Sequence, residues 1–356
     1  MKVRGDYTAL DPALEIIHRA SPDLRNGNSN HAPMAVEALC AMGRAGAVAR
    51  WLDGYRKEMM PRETPHLRIA RDDWRSALGR VERVADWAAF FENELDEAPW
   101  RDVLERWTAR FAPGISASAT HGVIRVGHAV RGLAESESPA RRHELADGLG
   151  YWAATFQTLP ADLSAPAAAM RPRDAIFRVA TVPRERRRYA GSIASSLQAL
   201  NEFPEFAPAI GLIGVGGDPS RLTSELTETF ARVYLANARD FLSALVFIHG
   251  VTSAAAIRNL IPYLGAQTVR DAARFGWQAG CALYAAFGKM PAPANEIEPP
   301  RESHATLIDM AIANGDEHAI KFTEACIRQD EINKDALNPS PAYLAAARHA
   351  IDILRS

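Results

Sequence analysis

Apolar residues recur every three to four positions along almost the whole chain, and the period-two alternation of a half-buried strand is scarce. With Ala and Leu dominating, this spacing predicts an all-α fold. Leu10-Asp-Pro-Ala-Leu-Glu15 opens the first clear helix, with Asp11 placed to cap it and Pro12 at the first helical position, where its missing N–H costs nothing. Asn30 can cap a second helix, which runs through Met34, Val36 and Leu39 to a stop at Gly43. Further helical patterns cover 73–91, 100–111, 120–133, 141–158, 189–200, 220–249, 253–264, 267–287, 303–314 and 316–328, and 341–354 closes the chain. Breaks at 160–172, 211–219 and 291–300 read as surface loops. None is long or biased enough to be a disordered linker, and no repeat of fixed period is found. The expectation is therefore one large compact multi-helix domain spanning 1–356.

Composition agrees. A chain of 356 residues, 47% of them apolar, can bury a large core. Its formal charge of −2 leaves no basic footprint for a phosphate backbone, which excludes nucleic acid as an expected partner. The Arg184, Arg186, Arg187, Arg188 patch is short and reads as a solvated loop or helix start. The first residues lack a continuous apolar stretch, and no apolar run approaches the ~20 residues that span a bilayer, so no membrane partner and a cytoplasmic location are expected. Cys40, Cys281 and Cys326 form no CxxC pair and read as core thiols in a reducing compartment.

Against this background, His31, His121, His249 and His318 each fall in an apolar, small-residue segment. Buried imidazoles need partners, and four of them in separated core-like segments suggest convergence on one site, most simply a metal. Each alone reads more readily as a half-buried ring bonded to a neighbouring carbonyl. His121, Arg125 and His128 fall at i, i+4 and i+7, along one helical face, with Gly122 and Gly127 permitting close approach of another element. His31 sits at a helix start, where the dipole keeps the ring neutral. His249 ends an apolar run, and Thr252 follows one turn later.

Lys321 lies three residues after His318, on the same face. An ammonium cannot ligate a cation, so an unmodified Lys321 is a counter-charge, a donor, a spectator, or a surface residue paired with Glu317 or Glu324. If burial lowers its pKa, the neutral amine can add CO2 to give an anionic carbamate with oxygen ligands. The Gly211–Gly217 stretch follows no strand and fits a phosphate loop poorly. No G-x-S-x-G, H-E-x-x-H or P-loop motif is found.

Asn30-His31, His121-Gly122, His249-Gly-Val-Thr252 and His318-Ala-Ile-Lys321, in this order, resemble the questin oxidase-like family across almost the whole chain. The resemblance implies an all-α, non-haem Fe(II) oxygenase acting with O2 on an aromatic, anthraquinone-like substrate by oxidative ring cleavage or Baeyer–Villiger-type oxygen insertion. It implies His31, His121, His249, His318 and a carboxylated Lys321 as iron ligands. Fungal members carry His-Pro-x-x-His-x-Gly-Tyr where this chain has His121-Gly-Val-Ile-Arg125-Val-Gly-His128, so Arg125 and His128 are candidates to contact a phenolate or carboxylate. Thr252 and Asp316 are candidates to orient the ligating rings. Trp152 and Phe156 read equally as core and as pocket wall.

The same ligands suit a zinc-type metallohydrolase, although such sites usually sit on a β/α barrel and no strand series is visible. A helical interaction or structural protein with merely buried histidines is the other class. NADPH as an external reductant is a further expectation, while a flavin finds little support.

Overall fold

The computed structural model describes residues 4–164, 168–187, 189–289, 297–335 and 339–355. Arg188 and the middle of two expected loops, 165–167 and 291–296, lie outside the described residues. The elements in chain order are α1 (Leu10–Ile17), β1 (Ala20–Leu24), α2 (Ala32–Ala41), α3 (Ala45–Tyr55), β2 (Met59–Pro61), α4 (Val84–Glu97), α5 (Trp100–Phe111), α6 (His121–Glu135), α7 (Pro139–Ala154), α8 (Pro172–Ala175) and α9 (Ile193–Leu197). They continue with α10 (Pro219–Asn237), α11 (Phe241–Leu260), α12 (Ala266–Phe287), α13 (His304–Asn314), α14 (Glu317–Asn333) and α15 (Ala342–Ile353). Among the described residues the only named strands are β1 and β2, which pair antiparallel, Ala20 opposite Pro61 and Leu24 opposite Met59. The fold is all-α, as the periodicity requires.

Several boundaries differ from the sequence pattern. α1 starts before Asp11, with Ala9 at its cap, because Asp11 is drawn into an ion pair with Arg141. Gly79, at φ +72, breaks the 73–91 pattern, so only short turns precede α4. In the 189–200 pattern the α-helix is confined to α9. The 220–249 pattern splits at Ala238–Asp240, where the Asp240 and Ser243 side chains form a capping box that starts α11. α11 then runs without a break through the expected boundary between 249 and 253 to Leu260, which places His249 in mid-helix instead of at a helix end.

The centre of the molecule is a ring of four helices: α2 packs on α6 and α14, and α11 closes the ring by packing on both. All four run in the same direction. His31 faces His121 and, further along the same two helices, Glu37 meets His128; His121 faces His249, and Gly127 meets Ala256; Arg131 reaches Glu324. Parallel helices cannot be joined by a tight turn, so each step around the ring is made through returning elements, α3–α5, α7–α10 and α12–α13. Those elements, together with α1, contribute to the outer apolar clusters around Trp87 and Trp107, around Phe230 and Trp277, and around Leu10 and Leu307.

α11 corrects one expectation. Phe241–Tyr263 is a 23-residue stretch whose most apolar window has a mean hydropathy of 1.5, long and apolar enough to cross a membrane by composition. Its most apolar window is 72% buried inside the protein, because α11 is shared between the ring and the surrounding clusters. A helix apolar all round is what a central position demands.

Candidate metal centre

His31 is the N-cap of α2, His121 the first residue of α6, His318 the second of α14, and His249 projects from the middle of α11. The ring of helices brings the four imidazoles together. His31 Nε2 lies 2.7 Å from His121 Nε2, and His249 Nε2 lies 3.1 Å from the same atom. The His318 ring meets that of His31 edge-on at 4.5 Å between centroids and stands 6.3 Å from that of His249. His31, His249, His318 and Lys321 are buried, whereas His121 is half-buried.

Every Nδ1 atom faces an acceptor. His121 Nδ1 donates to the Ser118 carbonyl at 2.5 Å, and His249 Nδ1 to the Leu245 carbonyl at 2.6 Å. His31 Nδ1 is 3.3 Å from Glu317 Oε1, and His318 Nδ1 is 3.2 Å from Asp316 Oδ1. Carbonyl and carboxylate oxygens only accept, so each Nδ1 carries the ring hydrogen. Burial pushes His249 down to about 3, and burial with neighbouring cationic groups holds His31 and His121 well below the usual imidazole range. Neutral rings with hydrogen on Nδ1 leave bare Nε2 lone pairs. Three of these point at one another within 2.7 and 3.1 Å, a repulsive arrangement that a cation between them would turn attractive. Two ligands held at right angles about 2.1 Å from one ion are about 3 Å apart, so the spacing suits a metal.

Lys321 is 3% exposed, and burial pushes its ammonium down to about 8 despite the opposing pull of Glu317 and Asp316. It is no surface ion-pair residue: Glu324 is taken by Arg131 and Arg328, and among the described residues no carboxylate pairs with Lys321. Its charge is felt at His31, His121 and His249, which places it at the cluster.

Local structure is strained here. Ser118, Ala119 and Thr120 are three consecutive non-glycine residues at φ 46, 55 and 75. The left-handed region costs an L-residue about 1–2 kcal/mol, so the turn stores about 3–6 kcal/mol. Thr120 Oγ1 adds to that, being buried without a partner. The turn aims the Ser118 carbonyl at His121 Nδ1. On the other side, the cap position expected of Asn30 belongs to His31; from one residue earlier Asn30 Oδ1 accepts from Ala32 N, while its amide donates to the Ser21 carbonyl of β1. The His31 N–H donates to Tyr55 Oη at 2.9 Å.

The remaining sequence candidates sit elsewhere. Arg125 is buried in a fork on Glu144, at 2.6 and 2.9 Å, and reaches Asp147 at 3.4 Å. His128 Nδ1 is 2.6 Å from Glu37 Oε2, in a buried layer where Glu37, Arg131, Glu324, Arg328 and Asn259 link all four ring helices. Both side chains are thus committed to internal carboxylates, away from the imidazoles. The Thr252 hydroxyl donates to its own helix at the Ile248 carbonyl, 3.0 Å away, and the orienting role expected of it belongs to the Leu245 carbonyl. Asp316 does orient His318, and also caps α14. Trp152 is fully buried core, its indole N–H on the Gly114 carbonyl.

Sequence reasoning missed Glu317 and Tyr55 as partners of His31, and Tyr151 as a partner of Ser29 and Ser118 in the segments leading to His31 and His121. The consecutive acids Asp316-Glu317 before His318 were a usable signal; the tyrosines carried none. A second group, His18, His143, Glu92, Glu144 and Asp147, also gathers imidazoles and carboxylates, but Arg62 and Arg125 occupy the places a cation would take.

A family model described as questin oxidase-like matches residues 28–326, which takes in all four clustered imidazoles and Lys321. The chain belongs to the questin oxidase-like family. No curated protein matches it. Membership in the questin oxidase-like family makes this an oxidase-type enzyme acting on a small molecule. It agrees with the absence, among the described residues, of the strand series that a barrel hydrolase would need.

Proposed function

We propose that the protein is a non-haem Fe(II)-dependent oxygenase that uses O2 to cleave, or insert oxygen into, an aromatic or quinone substrate. The observation that carries this reading is the set of bare Nε2 lone pairs of His31, His121 and His249 facing one another. His318 completes an imidazole set whose outer nitrogens are all fixed by acceptors, the arrangement in which histidines ligate metals best. Bound there, Fe(II) would supply the activation of O2.

Charge balance gives Lys321 its role. The N-termini of α2, α6 and α14 all point at the cluster, so the fixed dipoles there are positive and disfavour a dication beside neutral rings. An anion among the ligands offsets this. With its amine at about 8, Lys321 has about one neutral molecule in ten at pH 7, against about one in 3,000 for an ordinary lysine. That neutral amine attacks CO2 and loses a proton to give the carbamate, an anionic oxygen ligand. Glu317, beside His31 and His318, can take the proton.

Insertion of one oxygen atom into a ring leaves the other to be reduced to water by two electrons, which NADPH would supply. Oxygen uptake with and without NADPH measures that need. The decisive experiment is metal analysis of protein purified without added metal, with His121→Ala and Lys321→Ala alongside. Stoichiometric iron in the wild type, lost from both variants, is expected; a metal-free native protein sinks the proposal, and zinc in place of iron reassigns it to hydrolysis.

A further inference from the structure

Tyr151, on α7, carries a hydroxyl that the proposed chemistry does not use, although it is 4% exposed and sits among polar groups. Its Oη lies 2.6 Å from Ser29 Oγ, 2.9 Å from Ser118 Oγ and 3.4 Å from Asp23 Oδ1, and the two serine hydroxyls are 3.3 Å apart. Ser29 and Asp23 belong to the segment that leads from β1 into His31. Ser118 belongs to the left-handed turn that leads into His121, and its carbonyl is the acceptor for His121 Nδ1. One hydroxyl therefore joins the two backbone segments that set the positions of the two closest imidazoles.

We propose that Tyr151 is a positioning residue: by bonding Ser29 and Ser118 at once, it holds the strained 118–120 turn in place and keeps His31 and His121 at ligating distance. The strain is what makes such a clamp necessary. Three left-handed residues persist only where surrounding contacts over-determine them, and α7 provides those contacts. Next to Tyr151, Trp152 lies so close to Gly122 that an added Cβ would fall 2.8 Å from its Cβ, so α7 is pressed onto the first turn of α6. Burial and Asp23 hold the phenol up at about 12, so its hydrogen is present throughout the neutral range.

This inference rests on reading the imidazoles as a metal centre, and the test separates the two. Wild type, Tyr151→Phe and, as a control that removes a half-buried tyrosine hydroxyl elsewhere, Tyr7→Phe are titrated with Co(II) in the full chain. His121 Nδ1–H is followed by NMR in the metal-free proteins. Tyr151→Phe is expected to weaken Co(II) 10- to 100-fold, the usual effect of losing a group that orients a ligand, and to shift or broaden the His121 signal. Tyr7→Phe is expected to leave both readouts unchanged. Wild-type Co(II) affinity in Tyr151→Phe, with an unmoved His121 signal, overturns the proposal. Should the wild type bind no Co(II), the metal reading falls and the His121 signal alone decides the role of Tyr151. Should Tyr151→Phe not fold, Ser118→Ala and Ser29→Ala each remove one bond without disturbing the ring, and unchanged Co(II) binding in both overturns it equally.

Discussion

Gly127→Ala is expected to loosen the imidazole cluster from six residues away. An ideal Cβ at position 127 would lie 2.7 Å from Ala256 Cβ, 2.9 Å from its Cα and 3.0 Å from its carbonyl oxygen. Two of those atoms are backbone, so no rotamer change relieves the clash. Reaching an ordinary contact requires α6 and α11 to separate by about 0.5–0.7 Å at this crossing. Asn259, which donates to the Gly127 carbonyl at 3.1 Å, resists that movement. Overpacking of this kind costs about 1–3 kcal/mol of stability. His121 lies six residues back along α6, about 9 Å away, and His249 a similar distance back along α11. A shift of ~0.5 Å is the tolerance within which a preorganised site keeps its geometry, so metal affinity is expected to fall about tenfold. Urea unfolding reads the first effect and Co(II) titration the second. A variant as stable as wild type, or one destabilised but binding metal unchanged, refutes the claim that the close α6–α11 approach sets the spacing of the imidazoles.

Lys321→Ala is expected to lose most of its bound metal and to regain part of it with millimolar acetate or propionate, which place a carboxylate where the carbamate would be; 13C-bicarbonate labelling should give a carbamate signal in wild type that grows as pH rises toward 8. Glu37→Gln is expected to cost about 3 kcal/mol or more, because it leaves Arg131 with one buried carboxylate instead of two. Although burial opposes it, the Arg131 guanidinium holds Glu37 well below its usual 4.5. Its contribution to stability is therefore complete above about 4.5 and is lost as pH falls toward the folded-state value, so the variant should show a flatter loss of stability in acid. Gly280→Ala is expected to destabilise by about 1–3 kcal/mol, since its Cβ would run into the buried Phe230 ring; equal chemical denaturation curves would show that α12 can yield there.

Local rules read well where the signal is local. The patterns expected from 220 and from 316 begin where Asp218 and Asp316 cap α10 and α14 through side-chain oxygens, and the 3.6-residue apolar spacing located most of the long helices. They failed where two helices follow each other without a break in hydropathy, as across Ala238–Asp240, because a three-residue cap does not interrupt an apolar periodicity. They failed too with Arg125 and His128. Their i+4 and i+7 offsets from His121 put them on one face, but a face curves over the length of a helix. Two turns on, the groups opposite are Glu37 and Glu144 from other elements, and a charge so buried must take the nearest opposite charge.

The sequence by itself determined that the chain is helical, that four histidines and a lysine sit in segments too apolar for the surface, and that their order matches one family. These follow from residue type and spacing, which are properties of single segments. Only the tertiary structure decided that α2, α6, α11 and α14 run parallel, that three of their N-termini meet, and that Ser118, Leu245, Glu317 and Asp316 turn the four rings. Those partners lie up to 286 residues apart in the chain, and what joins them is packing, which no local propensity encodes. The backbone carbonyls among them carry no residue-specific signal at all, so the feature that leaves the Nε2 lone pairs bare was invisible until the helices were assembled.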